Sequence, residues 1–243
     1  MKDWLVPDWP APRGVRAFVT TRSGGVSTGE FASMNLGLSS GDEAAKVERN
    51  RAIVRAELPS DPVYLVQVHG TGVTDLDRLP AGERPRADAA VTAQRGRVAT
   101  VLVADCMPLL LCDRGGTRVV AAHAGWRGMA AGVIENAVAS LQVPPAEVIA
   151  WMGPAIGPDA FEVGPEVREA FLAVDSDAQG AFRAHAPGKY MADLYTLARR
   201  RLARIGVGSV HGGGFCTFHE PGRFFSYRRV KASGRMGAFV WMV

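Results

Sequence analysis

A single α/β domain built on a mixed sheet covered by helices is the fold class this sequence predicts, on three observations. Segments with strand spacing and helix spacing alternate irregularly along the chain. Residues 109–112 and 117–122 flank Asp113-Arg114-Gly115-Gly116, the turn chemistry of a hairpin, so at least one strand pair is antiparallel. The chain has 243 residues, 47% hydrophobic and 21% charged, with no repeat period, low-complexity tract or linker, so residues 1–243 are expected to share one sizeable core.

Taken in order, residues 16–20 read as a strand running into Thr-Arg-Ser-Gly-Gly-Val-Ser (21–27), a turn-rich loop. Its small residues would expose backbone N–H groups beside Arg22, as an anion site requires, although an ordinary connection has the same composition. Residues 41–58 change to helical spacing, with Asp42 as N-cap and Val47, Ile53 and Val54 facing inward. The apolar run 63–68 has strand length and delivers Gln-Val-His-Gly (67–70), which places His69 at a strand terminus. The loop 78–86 follows, then a short strand, Asp-Ala-Ala-Val-Thr (88–92).

Residues 98–128 combine a strand, a Cys-containing corner, the hairpin and a glycine-rich turn into a helix. Apolar residues at 130, 133, 134, 137, 138 and 141 give that helix one buried face. Residues 148–152 return to strand, 153–158 are irregular, and Pro165 opens a helix over 165–171. Residues 173–190 are weakly patterned and suit a flap near a site. Asp193 caps a helix through Ile205 that Gly206 stops, and its Arg199, Arg200, Arg201 and Arg204 read as a solvated face. Residues 207–211 and 237–242 are the closing strands.

Composition excludes several classes. Three cysteines, an odd number, do not look like a secreted disulfide framework, so a reducing, cytoplasmic compartment is expected. No apolar run approaches the roughly 20 residues of a membrane span, and residues 1–14 lack the apolar core of a secretory signal. The net charge of +4 suits an anionic ligand, but its arginines are scattered and form no basic, aromatic stripe of the kind nucleic-acid grooves use.

The chemistry concentrates in three residues. With the hairpin loop at 113–116, Cys112 faces Thr117 and Cys106 comes opposite His123, at a Cβ separation of about 5 Å. His69, Cys106 and His123 would each follow a buried strand, where ligand sites of α/β sheets gather. Two imidazoles and a thiolate match a catalytic zinc site with its fourth position open. Asp105 would by itself disfavour the Cys106 thiolate, and a bound cation reverses that. Cys106 as nucleophile with His123 as base is the metal-free alternative, on the same geometry. The segment His-Ala-Gly-Trp-Arg-Gly (123–128) opens a helix at Gly125, and its N-terminus with Arg127 would hold an anion such as phosphate. Cys216 and His219 make half a metal site, and His185 stands in no motif.

These segments together resemble the laccase-domain family, whose members carry the names polyphenol oxidase, purine nucleoside phosphorylase and peptidoglycan editing factor. The matching stretches are 20–27, Asn-Leu-Gly at 35–37, 67–70, 88–92, Ala-Asp-Cys-Met-Pro-Leu-Leu at 104–110, 123–128, 153–157 and Phe-Phe-Ser-Tyr-Arg-Arg at 224–229. The resemblance implies an α/β/α sandwich of the laccase-domain, cysteine-hydrolase-like type, with zinc at His69, Cys106 and His123. It also implies phosphorolysis of adenosine, inosine or methylthioadenosine, adenosine deamination as a side activity, and arginines on phosphate, for which Arg22 and Arg127 are the candidates. Asp105 and Gln67 are adjacent polar groups that could serve as general base or orienter. Residues 230–235 depart from the family's usual turn.

Two other activities compete: an amidase-like editor of peptidoglycan precursors using Cys106 and His123, and a copper-dependent polyphenol oxidase. Five histidines with no His-x-His pair cannot build a multicopper centre, although one thiolate-imidazole site can bind copper. All these readings imply a small-molecule substrate, with no nucleic acid or membrane partner, and none sets the oligomeric state.

Overall fold

The computed structural model describes residues 3–80 and 82–243. In chain order the strands are β1 (Val15–Val19), β2 (Val73–Asp75), β3 (Ala89–Thr92), β4 (Ala99–Val103), β5 (Met107–Asp113), β6 (Val119–Ala124), β7 (Val148–Met152), β8 (Glu162–Val163), β9 (Phe182–Ala184), β10 (Tyr190–Ala192), β11 (Ser209–Gly212) and β12 (Met236–Met242). The α-helices are α1 (Ala44–Arg55), α2 (Trp126–Ala131), α3 (Val133–Ser140), α4 (Pro165–Leu172) and α5 (Leu194–Arg204).

The expected mixed sheet is present, six strands in the order β11-β7-β5-β6-β3-β2, parallel at its two outer pairs and antiparallel within. Strand β5 is buried along its whole length because both faces of this sheet are covered, which is why it reads as a continuous apolar run. Leu109, Leu111, Val120 and Ala122 face Ile134 and Val138 of α3 and Leu197 and Leu202 of α5. On the other face, Leu110, Cys112, Val119 and Ala121 meet a second sheet, β1-β12-β4, through Val15, Val101, Ala238 and Val240. The alternate residues of that sheet, Phe18, Phe239 and Trp241, pack against α1 through Val54. Helices therefore flank the β structure as expected, but with two sheets between them where one was expected. The period-2 pattern of β12, which buries both faces on different partners, is the physical signature of that inner position. A third, small sheet has the order β8-β10-β9.

Several local expectations change. The hairpin register moves by two residues: Cys112 pairs with Val119, and His123 pairs with Pro108 instead of Cys106. The cause is Asp113, whose Oδ1 accepts the Thr117 and Arg118 N–H groups at 2.8 and 2.7 Å and whose Oδ2 accepts the Thr117 hydroxyl at 3.0 Å. That cap moves the four-residue loop on by one residue, and the even shift keeps every side chain on its expected face.

Residues 63–68 form no strand, only one bridge from Val66 to Arg86. The helix expected from 129 is broken at Gly132, whose φ of 110° ends α2 and starts α3. Asp42 does not cap α1; its Oδ2 accepts from Ser27 and Asn35. Residues 173–190 hold a 3-10 turn and β9.

Of the α5 arginines, Arg199 and Arg204 are exposed and Arg200 partly so, as a solvated face requires, and Arg201 is the exception. Arg201 is buried, donating to the Met129 and Ala130 carbonyls and to Glu135 at 3.0 Å, Arg200 pairs with Asp175, and Arg199 donates to the Gly212 carbonyl. Arg201 meets the α2–α3 break, where carbonyls freed from the helix ladder need donors. Asp193 does cap α5, accepting the Tyr195 and Thr196 N–H groups. Among the described residues no helix is long and apolar enough to cross a membrane.

Candidate metal centre

His69, Cys106 and His123 meet, with their ligand atoms all within 4.8 Å of one another. They do not each follow a strand. His123 lies inside β6, Cys106 in the corner between β4 and β5, and His69 in a loop with φ of 58°. The Cys–His meeting survives the register shift because Cys106 lies two residues before Pro108, the direct partner of His123. Gly125 leaves the space for it: a Cβ there would lie 2.8 Å from Cys106 Sγ and 3.2 Å from His69 Cδ2. This glycine is needed for close approach, a role distinct from the phosphate contact expected of it.

One carboxylate organises the cluster from behind. Asp88, fully buried just before β3, has Oδ1 2.8 Å from His123 Nδ1 and accepts the His69 N–H at 2.9 Å. Its Oδ2 accepts the N–H groups of Gly70 and Val68 at 2.7 and 3.2 Å. These bonds hold His69 in a left-handed conformation that a residue with a side chain rarely adopts. With Nδ1 engaged, Nε2 of His123 is left for the centre.

Burial by itself would raise the Cys106 thiol, but the charge and hydrogen bonds of His123 and His69 outweigh it and bring the group down to about 6. Burial likewise opposes the His123 imidazolium, yet the Cys106 thiolate and then Asp88 lift it to about 9. Cys112 is pushed up to about 12 by burial and by Asp113. A thiolate with two imidazoles is a soft-to-borderline donor set, which suits zinc or copper and not magnesium or calcium. Around a tetrahedral zinc such donors stand roughly 3.5 Å apart, a separation this cluster approaches, so the residues fit a metal.

The centre opens into a cavity of about 710 Å³. Of the residues expected there, Gln67, Asp105 and Arg127 line it, and Arg22 does not. Arg22 is spent on structure: Nε donates to the Ala32 carbonyl and Nη1 to the Pro221 carbonyl, both at 2.8 Å, while its guanidinium lies over Phe225.

Gln67 exchanges two 2.8 Å hydrogen bonds with the Leu102 backbone, so its amide stands in for the strand pairing that residues 63–68 lack. Asp105, at φ 83°, accepts the Thr217 hydroxyl and the Arg228 N–H, each at 2.6 Å, and so ties the segment that carries Tyr227 and Arg228 to the corner holding Cys106. Arg127 is exposed over the Trp126 ring, and α2 behind it is only six residues long. Cys216 and His219 join no metal-ligand cluster among the described residues; Cys216 Sγ accepts the Gly157 N–H instead.

Sequence reasoning missed Asp88 and four arginines of the cavity wall, Arg51, Arg84, Arg228 and Arg235. An aspartate at the mouth of a fully buried strand was the available signal for Asp88. Arg228 stood in the Phe-Phe-Ser-Tyr-Arg-Arg stretch without an assigned role. Its neighbour Arg229 faces away and donates to the carbonyls of Thr217, Phe218 and Phe224.

The family model described as multi-copper polyphenol oxidoreductase laccase matches residues 16–243. A Pseudomonas aeruginosa protein named purine nucleoside phosphorylase is 54% identical, over 100% of this chain and 99% of its own. An Escherichia coli (strain K12) protein of the same name is 51% identical over the full length of both. The crystal structure of a Neisseria meningitidis protein superposes with a TM-score of 0.95 at 49% identity, covering 99% of each chain.

Proposed function

The chain belongs to the multi-copper polyphenol oxidoreductase laccase family, and from that membership and its site we propose that it is a cytoplasmic, zinc-dependent purine nucleoside phosphorylase. The observation that carries the reading is the His69-Cys106-His123 cluster opening into an arginine-lined cavity. Its substrates are adenosine, inosine and methylthioadenosine with phosphate, and adenosine deamination is a side activity.

His69, Cys106 and His123 would hold the zinc, which would supply Lewis acidity when bound. The cavity, at about 710 Å³, has room for a nucleoside and a phosphate together. Arg127 and Arg228 hold the phosphate by charge-assisted hydrogen bonds, and Trp126 and Phe161 wall the purine. In phosphorolysis the bond from C1′ to the purine nitrogen breaks, a phosphate oxygen bonds C1′, and the purine leaves with the proton that phosphate gives up. Asp105 and Gln67 act as orienters, because the oxygens of each are already engaged by the backbone or by Thr217. Copper oxidase chemistry loses support because five histidines with no His-x-His pair are too few for a multicopper centre.

A second reading is favoured by one observation: without metal, Cys106, His123 and Asp88 line up as thiolate, imidazolium and orienting carboxylate, the arrangement of a cysteine amidase acting on peptidoglycan precursors. To separate the two, metal-analysed protein is incubated with inosine and phosphate, then with a UDP-muramoyl-amino-acid precursor. Phosphate-dependent loss of inosine by zinc-loaded protein supports the phosphorylase. Consumption of the precursor by metal-free protein, with inosine untouched, overturns it in favour of the amidase.

A further inference from the structure

We propose that Asp88 is a positioning residue that sets two of the three metal ligands at once, fixing the His123 ring through Nδ1 and the His69 backbone through its N–H. The inference rests on the metal reading above but not on which reaction the centre performs.

Four contacts make the case. Oδ1 is shared between His123 Nδ1 (2.8 Å) and the His69 N–H (2.9 Å), and Oδ2 between the Gly70 N–H (2.7 Å) and the Val68 N–H (3.2 Å). The Asp88 carbonyl also accepts the His123 N–H at 2.7 Å, so the two residues are locked by main chain as well as side chain. A carboxylate that merely satisfied the 68–70 turn would not need to reach the ring of His123. One that merely oriented His123 would not need three backbone donors from the neighbouring loop. A carboxylate on a ligand imidazole fixes its tautomer and raises its basicity. Here the same group also holds His69 at its φ of 58°.

An isosteric amide shows why charge and shape are both needed. In Asp88→Asn one of the two oxygens becomes NH2. If that NH2 faces Gly70 and Val68, it meets two N–H donors and the loop carrying His69 is pushed out. If it faces His123, it meets the His69 N–H and makes Nδ1 an acceptor, which moves the ring proton to Nε2 and removes the lone pair offered to the centre. Either orientation disables one ligand.

Two measurements test this. In zinc-loaded parent protein, nitrogen-15 NMR of the imidazoles is expected to show His123 protonated at Nδ1. Chelator competition is expected to show Asp88→Asn binding zinc about 10- to 100-fold more weakly than the parent, with altered visible bands in the cobalt-substituted protein. The proposal is overturned if His123 of the loaded parent carries its proton on Nε2, or if Asp88→Asn binds zinc within twofold of the parent. Should the variant fail to fold, the tautomer of the parent decides. A parent that takes up no zinc overturns the metal reading and this inference together, whereas a zinc-binding parent with an indifferent variant overturns this inference alone.

Discussion

Two buried aspartates sit at opposite ends of the β5–β6 strand pair and do similar work on different scales. Asp113, at the hairpin end, accepts two N–H groups and a hydroxyl from residues four and five positions further along the chain. Asp88, at the open end, accepts three N–H groups from the 68–70 loop and engages His123, all from distant parts of the chain. Both carboxylates are buried and are satisfied by backbone donors from part-buried turns. Asp113 closes a turn the local sequence already favours, so its bonds go into stability. Asp88 joins segments that have no local reason to meet, and what it holds in place is reactive.

If that division is right, substitutions at the open end remove chemistry and leave the fold, and substitutions at the hairpin end do the reverse. The largest effect is expected from Cys106→Ala, which should abolish zinc binding and turnover with circular dichroism unchanged. Full phosphorolysis by zinc-free protein would break the assignment of the open end. Next, the two cysteines of this hairpin region should differ in alkylation rate by orders of magnitude in metal-free protein at pH 7, read by mass spectrometry after iodoacetamide. Cys106, brought down to about 6, is thiolate above that pH and loses reactivity as pH falls through it, whereas Cys112, raised to about 12, stays protonated.

Gly125→Ala sharpens the comparison further, since its Cβ would press on Cys106 Sγ and His69 Cδ2 while its φ of −71° is open to any residue. Zinc affinity should fall about tenfold or more, the scale of a 1–3 kcal/mol overpacking penalty placed on ligands. Asp113→Ala should cost about 1–3 kcal/mol of unfolding free energy in urea by leaving two N–H groups unpaired, with zinc affinity and turnover per folded molecule unaltered. A drop in zinc affinity matching that of Asp88→Asn would show that the two ends are not separable. The smallest effect is expected from Arg22→Ala. Its guanidinium serves the Ala32 and Pro221 carbonyls, so the KM for phosphate should stay within twofold even where the melting temperature drops.

Much of the site was legible in the sequence because its donors are chemically unusual. Few residues besides His and Cys make a soft site, and the chain has only five and three of them, so His69, Cys106 and His123 stood out before their meeting was visible. The arginines did not, because twenty-odd similar cations differ only in what surrounds them. Arg22 beside a glycine-rich loop looked like an anion ligand and is held by carbonyls, while Arg228 and Arg235 reach the cavity from stretches that the resemblance marked without giving either arginine a role. Of the α5 arginines, written like a solvated face, Arg201 alone is drawn inward, to the α2–α3 break.

By itself, the sequence determined the elements whose causes are local: the apolar run of β5, the Asp193 cap of α5, the hairpin and its faces, and the donor types of the centre. Only the tertiary structure decided what depends on contacts between distant segments. These are the second sheet packed behind the first, the exact partner of His123 across the strands, and the use of Gln67 and Asp105 as ties. The placing of Asp88 behind two ligands belongs with them. Local propensities act over a turn or a strand, whereas a buried carboxylate takes whichever donors the packed chain brings to it, and no spacing along the sequence records which those are.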